Sequence, residues 1–269
     1  MINSSSIFLC SVSVFLLLIF YLGVYVFFSK KYKIRFIPVL CGFLLFILFA
    51  LILEPIIHQL VLQPSPNGTI SMKTNNPIVY MMYAAFTAGV FEEIGRYTGL
   101  AFLSKKYPEQ NTSIAYGLGH GGAELLILGV GTLINNLILM ISINQNNKQV
   151  IINLPKNIVD TLINTPSSHY LFILIERIPA LFIQILLTII VWYGIKHSNS
   201  LKILPLAIVL HAVIDLISAA YQVGYIQNFL VLYGLLYLAT LGLFVLTKKY
   251  FFADYDSLTK REGNIAKQI

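Results

Sequence analysis

Long apolar segments separated by short polar ones run through the whole chain and leave it few ways to fold. Of its 269 residues, 57% are hydrophobic and 11% are charged. A helix crosses the hydrocarbon core of a bilayer with about 20 apolar residues. About seven segments reach this length, at residues 7–28, 36–62, 77–103, 113–142, 170–195, 203–221 and 228–247. The sequence therefore predicts an all-α, polytopic transmembrane helix bundle, with residues 1–269 in a single integral membrane domain.

The basic residues outside these segments indicate how the bundle is oriented. Thirteen lie in connections on one predicted side, namely Lys30, Lys31, Lys33, Arg35, Lys105, Lys106, Lys196, Lys202, Lys248, Lys249, Lys260, Arg261 and Lys267. Only Lys73, Lys148 and Lys156 lie on the other side. Cytoplasmic loops carry an excess of such residues, so we expect an N-terminus outside, a cytoplasmic tail at 248–269, and a multi-pass location in the cell membrane. The net charge of +7 is thus explained by the orientation of the bundle in the membrane. It does not indicate a nucleic-acid partner.

The third segment carries three ionisable side chains within five positions, Glu92, Glu93 and Arg96. Such groups are costly in hydrocarbon and usually mark a functional site. Arg96 follows the two glutamates by four and three residues, so it can neutralise either one along a helix face. One explanation is a buried ion pair that holds the bundle together. One arginine cannot compensate two ionised carboxylates, however, and the surplus carboxylate is a candidate general base.

Three other segments carry polar side chains at a matching depth. Counting about 1.5 Å per residue from the predicted helix ends places eight residues in one layer, roughly 12–19 Å below the cytoplasmic surface. They are Glu92, Glu93, Arg96, His120, Glu124, Gln184, His211 and Asp215. Asp215 is one turn from His211 and is expected to orient it. Glu124 is predicted either to orient His120 or to make a simple polar contact, and Gln184 to bridge helices.

Glycines cluster around His120, in the segment Tyr116-Gly117-Leu118-Gly119-His120-Gly121-Gly122. They predict either close packing of this helix on its neighbours or backbone that faces a cavity. Gly95 and Gly99 form a second face of small residues where another helix can approach.

Further polar residues, Glu54, His58, Glu176 and Arg177, fall near the outer ends of their segments. We expect them to be wetted or paired locally, outside the layer.

Together the motifs resemble the superfamily of type II CAAX-prenyl endopeptidases and bacteriocin-processing (CPBP) proteins. The shared order is Glu-Glu-x-x-Arg, an aromatic-x-x-x-His and His-x-x-x-Asp, each on its own transmembrane helix. Glu92-Glu93-Ile94-Gly95-Arg96-Tyr97 with Gly119-His120-Gly121-Gly122 is most similar to the YhfC-like branch, described as intramembrane peptidases. The resemblance runs from about Pro77 to Tyr221 and beyond, which is most of the chain.

This resemblance implies a glutamic-type intramembrane protease that cleaves a membrane-associated protein or peptide. The depth of the polar layer predicts that the cleaved bond lies near the cytoplasmic leaflet. It implies that Glu92 activates a water molecule, with Glu93 and Arg96 as its supports. The implied catalytic set is Glu92, Glu93, Arg96, His120, His211 and Asp215, with Tyr116, Glu124 and Gln184 as supporting candidates.

Three departures from the superfamily pattern leave parts of the site open. Two residues, rather than the usual three, separate Glu93 from Arg96; the YhfC-like branch shares this spacing, so either glutamate can be the base. Asp215 stands where the superfamily has Asn. An ionised Asp cannot donate a hydrogen bond to an oxyanion, so it is protonated, orients His211 or binds something positive. Gln184 stands where a His is expected in YhfC-like proteins.

Two other functions remain open. Glu92, His120, His211 and Asp215 are residue types that hold a catalytic zinc with an open water position, which makes a zinc-dependent metalloprotease an alternative to the metal-free catalysis that we favour. The same residues can form a proton relay or ion site in a non-enzymatic protein, either a proton-linked transporter or a bacteriocin-immunity-type binding protein. The expected partners are a membrane-embedded or membrane-associated peptide and the lipid bilayer.

Overall fold

The described part of the chain is all-helical, as predicted. The computed structural model describes residues 1–65, 68–147 and 154–251. Within these ranges the helices are α1 Ser4–Tyr32, α2 Phe36–Leu62, α3 Ser71–Asn75, α4 Pro77–Lys106, α5 Asn111–Asn144, α6 Lys156–Asn164, α7 His169–Lys196, α8 Ser200–Gln222 and α9 Phe229–Tyr250. α2 has the predicted bounds and the other long helices extend their predicted segments by a few residues, whereas the short helices α3 and α6 were not anticipated from the apolar pattern.

Six of the described helices, α1, α2, α5, α7, α8 and α9, are long and apolar enough to cross a membrane. α4 has 30 residues, about 45 Å of helix, but its composition is less apolar because it contains Glu92, Glu93 and Arg96. The prediction of an all-α membrane bundle is confirmed. The crossing by α4 and the sidedness of the termini stay predictions. The predictions for Lys148, Lys260, Arg261 and Lys267, and for positions 252–269 of the tail, lie outside the described residues.

α7 is the central helix of the bundle. In its most apolar 18-residue stretch, 72% of the residues are buried. The corresponding share is 17–28% in the other five apolar helices. α1, α4, α5, α8 and α9 all pack against it. Pro179 lies inside α7 and cannot donate to the carbonyl one turn earlier. That carbonyl, of Ile175, instead accepts a hydrogen bond from the Tyr237 hydroxyl of α9 at 3.2 Å.

Close packing explains the glycines of α5. A Cβ atom on Gly119 would lie 1.8 Å from the Val39 carbonyl oxygen, and one on Gly42 would lie 2.2 Å from the Tyr116 carbonyl oxygen, so α2 and α5 touch backbone to backbone. A Cβ atom on Gly117 would lie 2.8 Å from Cα of Ile185 in α7. Of the two sequence-based alternatives, the glycines therefore pack the helices together. The resulting approach brings α5 side chains next to those of α4 and α7.

Two long helices contain a wider, π-helical stretch, Ile47–Leu53 in α2 and Leu125–Gly131 in α5. Such stretches are uncommon and are often found at functional sites. The one in α5 begins directly after Glu124, so it changes how the residues that follow this carboxylate face the bundle interior.

Candidate active site

Glu93 is enclosed by protein on all sides. Its side chain is 0% exposed. His211 Nδ1 donates a hydrogen bond to its Oε1 at 2.8 Å, and Arg96 Nε lies 3.1 Å from its Oε2. Glu93 therefore holds the His211 ring in one orientation, which leaves His211 Nε2 for other partners.

Glu92, the neighbouring carboxylate, is only partly enclosed. His120 Nε2 and Gln184 Nε2 both contact its Oε2, at 2.9 and 3.0 Å, and its side chain is 11% exposed. The described residues provide no hydrogen bond to its Oε1. Of the two glutamates, Glu92 is thus the one with an oxygen free to accept a proton.

Arg96 is fully buried and joins α4 to α7. Its Nη1 donates to the Gln184 backbone oxygen at 2.5 Å and to Thr188 Oγ1 at 2.7 Å, and its Nη2 donates to Gln184 Oε1. Its Nη2 lies 4.0 Å from Glu92 Oε2, whereas its Nε lies 3.1 Å from Glu93. The ion pair considered as a purely structural explanation therefore exists, but its closer partner is Glu93.

The Gln184 side chain lies at the centre of the polar layer. Its amide nitrogen donates to Glu92 Oε2 at 3.0 Å and to Glu124 Oε2 at 2.8 Å, while its amide oxygen accepts from Arg96. A neutral amide can serve both an arginine and carboxylates, because it carries a donor and an acceptor. Gln184 thereby connects the polar residues of α4, α5 and α7.

His120 is 1% exposed and is held between aromatic rings. Its ring centroid is 5.0 Å from that of Phe46 and 6.2 Å from that of Tyr116. The Tyr116 hydroxyl donates to the Gly95 backbone oxygen at 3.3 Å. These contacts fix the imidazole beside Glu92, and they give Tyr116 a supporting position between α4 and α5.

His211 Nε2 is directed between two carboxylates. It lies 3.9 Å from Glu92 Oε2 and 3.5 Å from Asp215 Oδ2. The Asp215 side chain is 35% exposed, in contrast to the enclosed Glu93. Asp215 and His211 line a small polar cavity of about 70 Å³ together with Gln184 and Glu124, which is room enough for water.

The sequence-based interpretation of Glu176 and Arg177 was wrong in one respect, because the Arg177 side chain contacts a carboxylate of the polar layer. Arg177 Nη1 donates to Glu124 Oε1 at 2.9 Å, and its Nη2 donates to Glu176 Oε1 at 2.6 Å. Glu124 accordingly contacts Gln184 and Arg177, and its contacts within the described residues do not include His120. A signal was present in the sequence: Arg177 precedes Gln184 by seven residues, two turns along the same face of α7.

Thr188 is a second residue that sequence reasoning missed. Its hydroxyl accepts from Arg96 and donates to the Gln184 backbone oxygen at 2.6 Å. It lies one turn after Gln184, so the same periodicity marks it. Glu54 and His58, by contrast, form the local pair that was predicted, with His58 Nε2 3.0 Å from Glu54 Oε1.

The four candidate zinc ligands have suitable chemistry but do not fit a metal ion as they are arranged. Among the described residues, no group of three or more His, Cys, Asp or Glu side chains is arranged to hold one. His120 Nε2 is within hydrogen-bond distance of Glu92 Oε2, at 2.9 Å, and His211 Nδ1 is bonded to Glu93. One nitrogen of each imidazole is thus bonded to a carboxylate, while His120 Nδ1 has no hydrogen-bond partner among the described residues.

Comparison with known proteins places the chain in a family. The family described as YhfC intramembrane metalloprotease matches residues 13–236, a region that contains every site residue above. The membrane protein YhfC of Bacillus subtilis (strain 168) is 33% identical over 215 residues, which cover 77% of this chain and 81% of that protein. No solved structure gives a significant match, and membership of the CPBP superfamily stays a prediction. With its helical bundle and this match, the chain is a multi-pass membrane protein that belongs to the YhfC intramembrane metalloprotease family.

Proposed function

We propose that this protein is an intramembrane endopeptidase in which Glu92 activates the water that hydrolyses a peptide bond of a membrane-associated protein or peptide. The observation that carries the proposal is the difference between the two adjacent glutamates. The two carboxylate oxygens of Glu93 lie next to His211 and Arg96. Oε1 of Glu92, in contrast, receives no hydrogen bond from the described residues. His120 and Gln184 hold the other oxygen of Glu92 and so fix the direction of the open one. Family membership supports the protease class.

The proposed reaction needs only groups of this chain, water and the substrate. Glu92 accepts a proton from water as the oxygen of that water bonds to the peptide carbonyl carbon. The C–N bond then breaks, and Glu92 returns the proton to the leaving amine nitrogen, so the base is regenerated. One carboxylate can serve as base and then as acid because the proton that it takes from water stays on it until the amine leaves.

The His211 side chain is the proposed donor to the oxyanion that forms during attack. With Nδ1 bonded to Glu93, a proton on Nε2 makes the ring an imidazolium whose charge is balanced by Glu93 and by Asp215, 3.5 Å away. Preorganised donors of this kind stabilise developing negative charge. In this proposal Asp215 stabilises the charged His211 ring and does not itself donate a hydrogen bond to the oxyanion. An ionised Asp can therefore stand where the superfamily has Asn.

The test is cleavage of a candidate membrane peptide by purified protein in proteoliposomes. We expect Glu92→Gln to lower kcat by about 10²–10⁴-fold, because the amide cannot accept the proton. Glu109→Gln is the matched control, since Glu109 pairs with Arg35 in a connection outside the site, and it should cleave at the wild-type rate. Cleavage by Glu92→Gln at the wild-type rate would contradict the assignment.

The family description makes zinc the alternative to test in the same assay. We expect cleavage to persist in the presence of a zinc chelator if Glu92 alone activates the water. Loss of cleavage in chelator, restored by added zinc and not by magnesium, would overturn the metal-free form of the proposal and establish a metalloprotease.

A further inference from the structure

A second, larger polar cavity adjoins the site on one side only. It has a volume of about 360 Å³ and lies between α2, α4, α5, α7 and α8. Its walls follow α8 from Asp215 through Ser218 to Gln222, the last residue of that helix. Tyr80, near the start of α4, and His58, near the end of α2, line the same end. The cavity therefore extends from the site towards the ends of α2 and α8 and the start of α4.

The two cavities share their walls. Glu124, Glu176, Arg177, Asp215 and Ser218 line both. Two carboxylates on the shared wall are the most exposed of this region, Asp215 at 35% and Glu176 at 31%, while Glu124 is 13% exposed. Charged, amide and hydroxyl side chains make up most of the lining, together with small apolar residues such as Ala84, Ala85 and Ala88. Polar groups within a membrane protein usually face such a water-filled space.

The opposite side of the site is filled by apolar side chains. Leu100 and Leu103 of α4 are 0% and 2% exposed, Tyr116 of α5 is 0% exposed, and Ile190 and Trp192 of α7 are 0% and 1% exposed. These residues lie between the polar layer and the ends of α4 and α7 that carry Lys105, Lys106 and Lys196. Densely packed apolar side chains leave little space for water.

We propose that the site exchanges water, and releases cleaved ends, through the cavity at the Gln222 end of α8, on the face opposite the lysine-rich helix ends. This inference rests on the proposed function, because that function explains why the site needs water and releases cleaved ends. The water path itself can be tested separately from catalysis. By the positive-inside rule that face is the outer one. The substrate is then a membrane peptide whose scissile bond is reached from the outer half of the bilayer, rather than near the cytoplasmic leaflet as the helix-end count predicted.

The helix bounds are consistent with this route. Glu92 lies 15 residues after Pro77 and 14 before Lys106, so it is in the middle of α4. Asp215 lies 15 residues after Ser200 but only seven before Gln222, about 10 Å from the Gln222 end of α8.

Cysteine labelling tests the route without any need for protease activity. In full-length protein with Cys10→Ala and Cys41→Ala, single cysteines are placed at Ser218 and Gln222 on the cavity wall. Val213→Cys is the matched control, because Val213 is on the same helix but is 56% exposed on its outer surface. A charged, membrane-impermeant thiol reagent is applied to one face at a time, in intact cells and in inverted vesicles. Lys202→Cys, near the start of α8, and Tyr225→Cys, just after its end, are the reference positions. They show from which membrane face the reagent reaches each end of the helix.

We expect Ser218→Cys and Gln222→Cys to react from the same face as Tyr225→Cys, at least about tenfold faster than Val213→Cys, because a thiol must meet water to ionise and react. Labelling only from the Lys202 face, from both faces alike, or from neither face would overturn the inference. Two cavity positions are used so that poor folding of one variant still leaves a result. Adding Glu92→Gln should leave the labelling unchanged, so failure of the proposed catalysis and failure of the proposed route are separate outcomes.

Discussion

Glu92 and Glu93 are neighbours in sequence, yet their surroundings assign them different tasks. One helical residue is a rotation of about 100°, so adjacent side chains face different neighbours. Glu93 faces Arg96 and His211 and is sealed, while Glu92 faces His120 and Gln184 and is 11% exposed. The spacing to Arg96 alone permitted either glutamate to be the base, and the difference in enclosure favours Glu92.

Gln184 provides a test at the scale of one side chain. Gln184→Glu keeps the size of the side chain but removes the amide that donates to Glu92 and Glu124. A third carboxylate beside these two loses both hydrogen bonds and adds repulsion, so Glu92 loses its fixed orientation. We expect kcat for peptide cleavage to fall by about 10²-fold with KM little changed.

The matched control for that prediction is Gln227→Glu, in the exposed connection between α8 and α9, which should retain both constants. An unchanged kcat in Gln184→Glu, or an equal loss in Gln227→Glu, would show that Gln184 does not position Glu92. A rise in KM alone would instead indicate a role in substrate binding.

At the scale of helices, the approach of α2 and α5 brings His120 to Glu92. The two backbones are so close at Gly42 and Gly119 that a methyl group does not fit. This contact is also where Phe46 of α2 packs on the His120 ring. The polar layer therefore depends on small residues that carry no functional group.

We expect Gly119→Ala to destabilise the bundle by about 1–3 kcal/mol or more, because the new Cβ meets the backbone of Val39 rather than a movable side chain. Gly23→Ala is the control, since nothing lies within 4 Å of a Cβ at Gly23 in α1. The measurement is the thermal unfolding midpoint of the purified proteins in the same detergent. Equal midpoints for the two variants would contradict the close contact.

At the scale of the whole molecule, the positive charges define a face and the polar cavity is on the other one. The sequence predicts seven crossings, including one by α4, and an odd number of crossings would place the termini on opposite sides of the membrane. We expect a C-terminal reporter that is active only in the cytoplasm to be active, and a cysteine introduced at Asn3 to react with an impermeant reagent outside intact cells. Termini found on the same side would rule out seven crossings.

The class of fold and part of the site were predictable because both depend on local chemistry. Apolar length predicts membrane helices whatever their order, and the four-residue spacings of Glu92 to Arg96 and of His211 to Asp215 place each pair on one helix face. Depth counting correctly put His120, Gln184 and His211 in one layer with Glu92. Depth cannot say which side chains face each other, because it contains no information on the rotation of each helix about its axis.

By itself, the sequence determined that this protein is an all-helical membrane protein with costly ionisable groups at a common depth, because hydrophobic length and charge act locally along the chain. Only the tertiary structure decided that Glu93 is sealed and Glu92 open, that Arg177 contacts Glu124 and Thr188 joins the layer, and that the polar cavity extends to one face. These features depend on how α2, α5 and α7 pack around α4, which the contacts of small residues such as Gly42 and Gly119 allow.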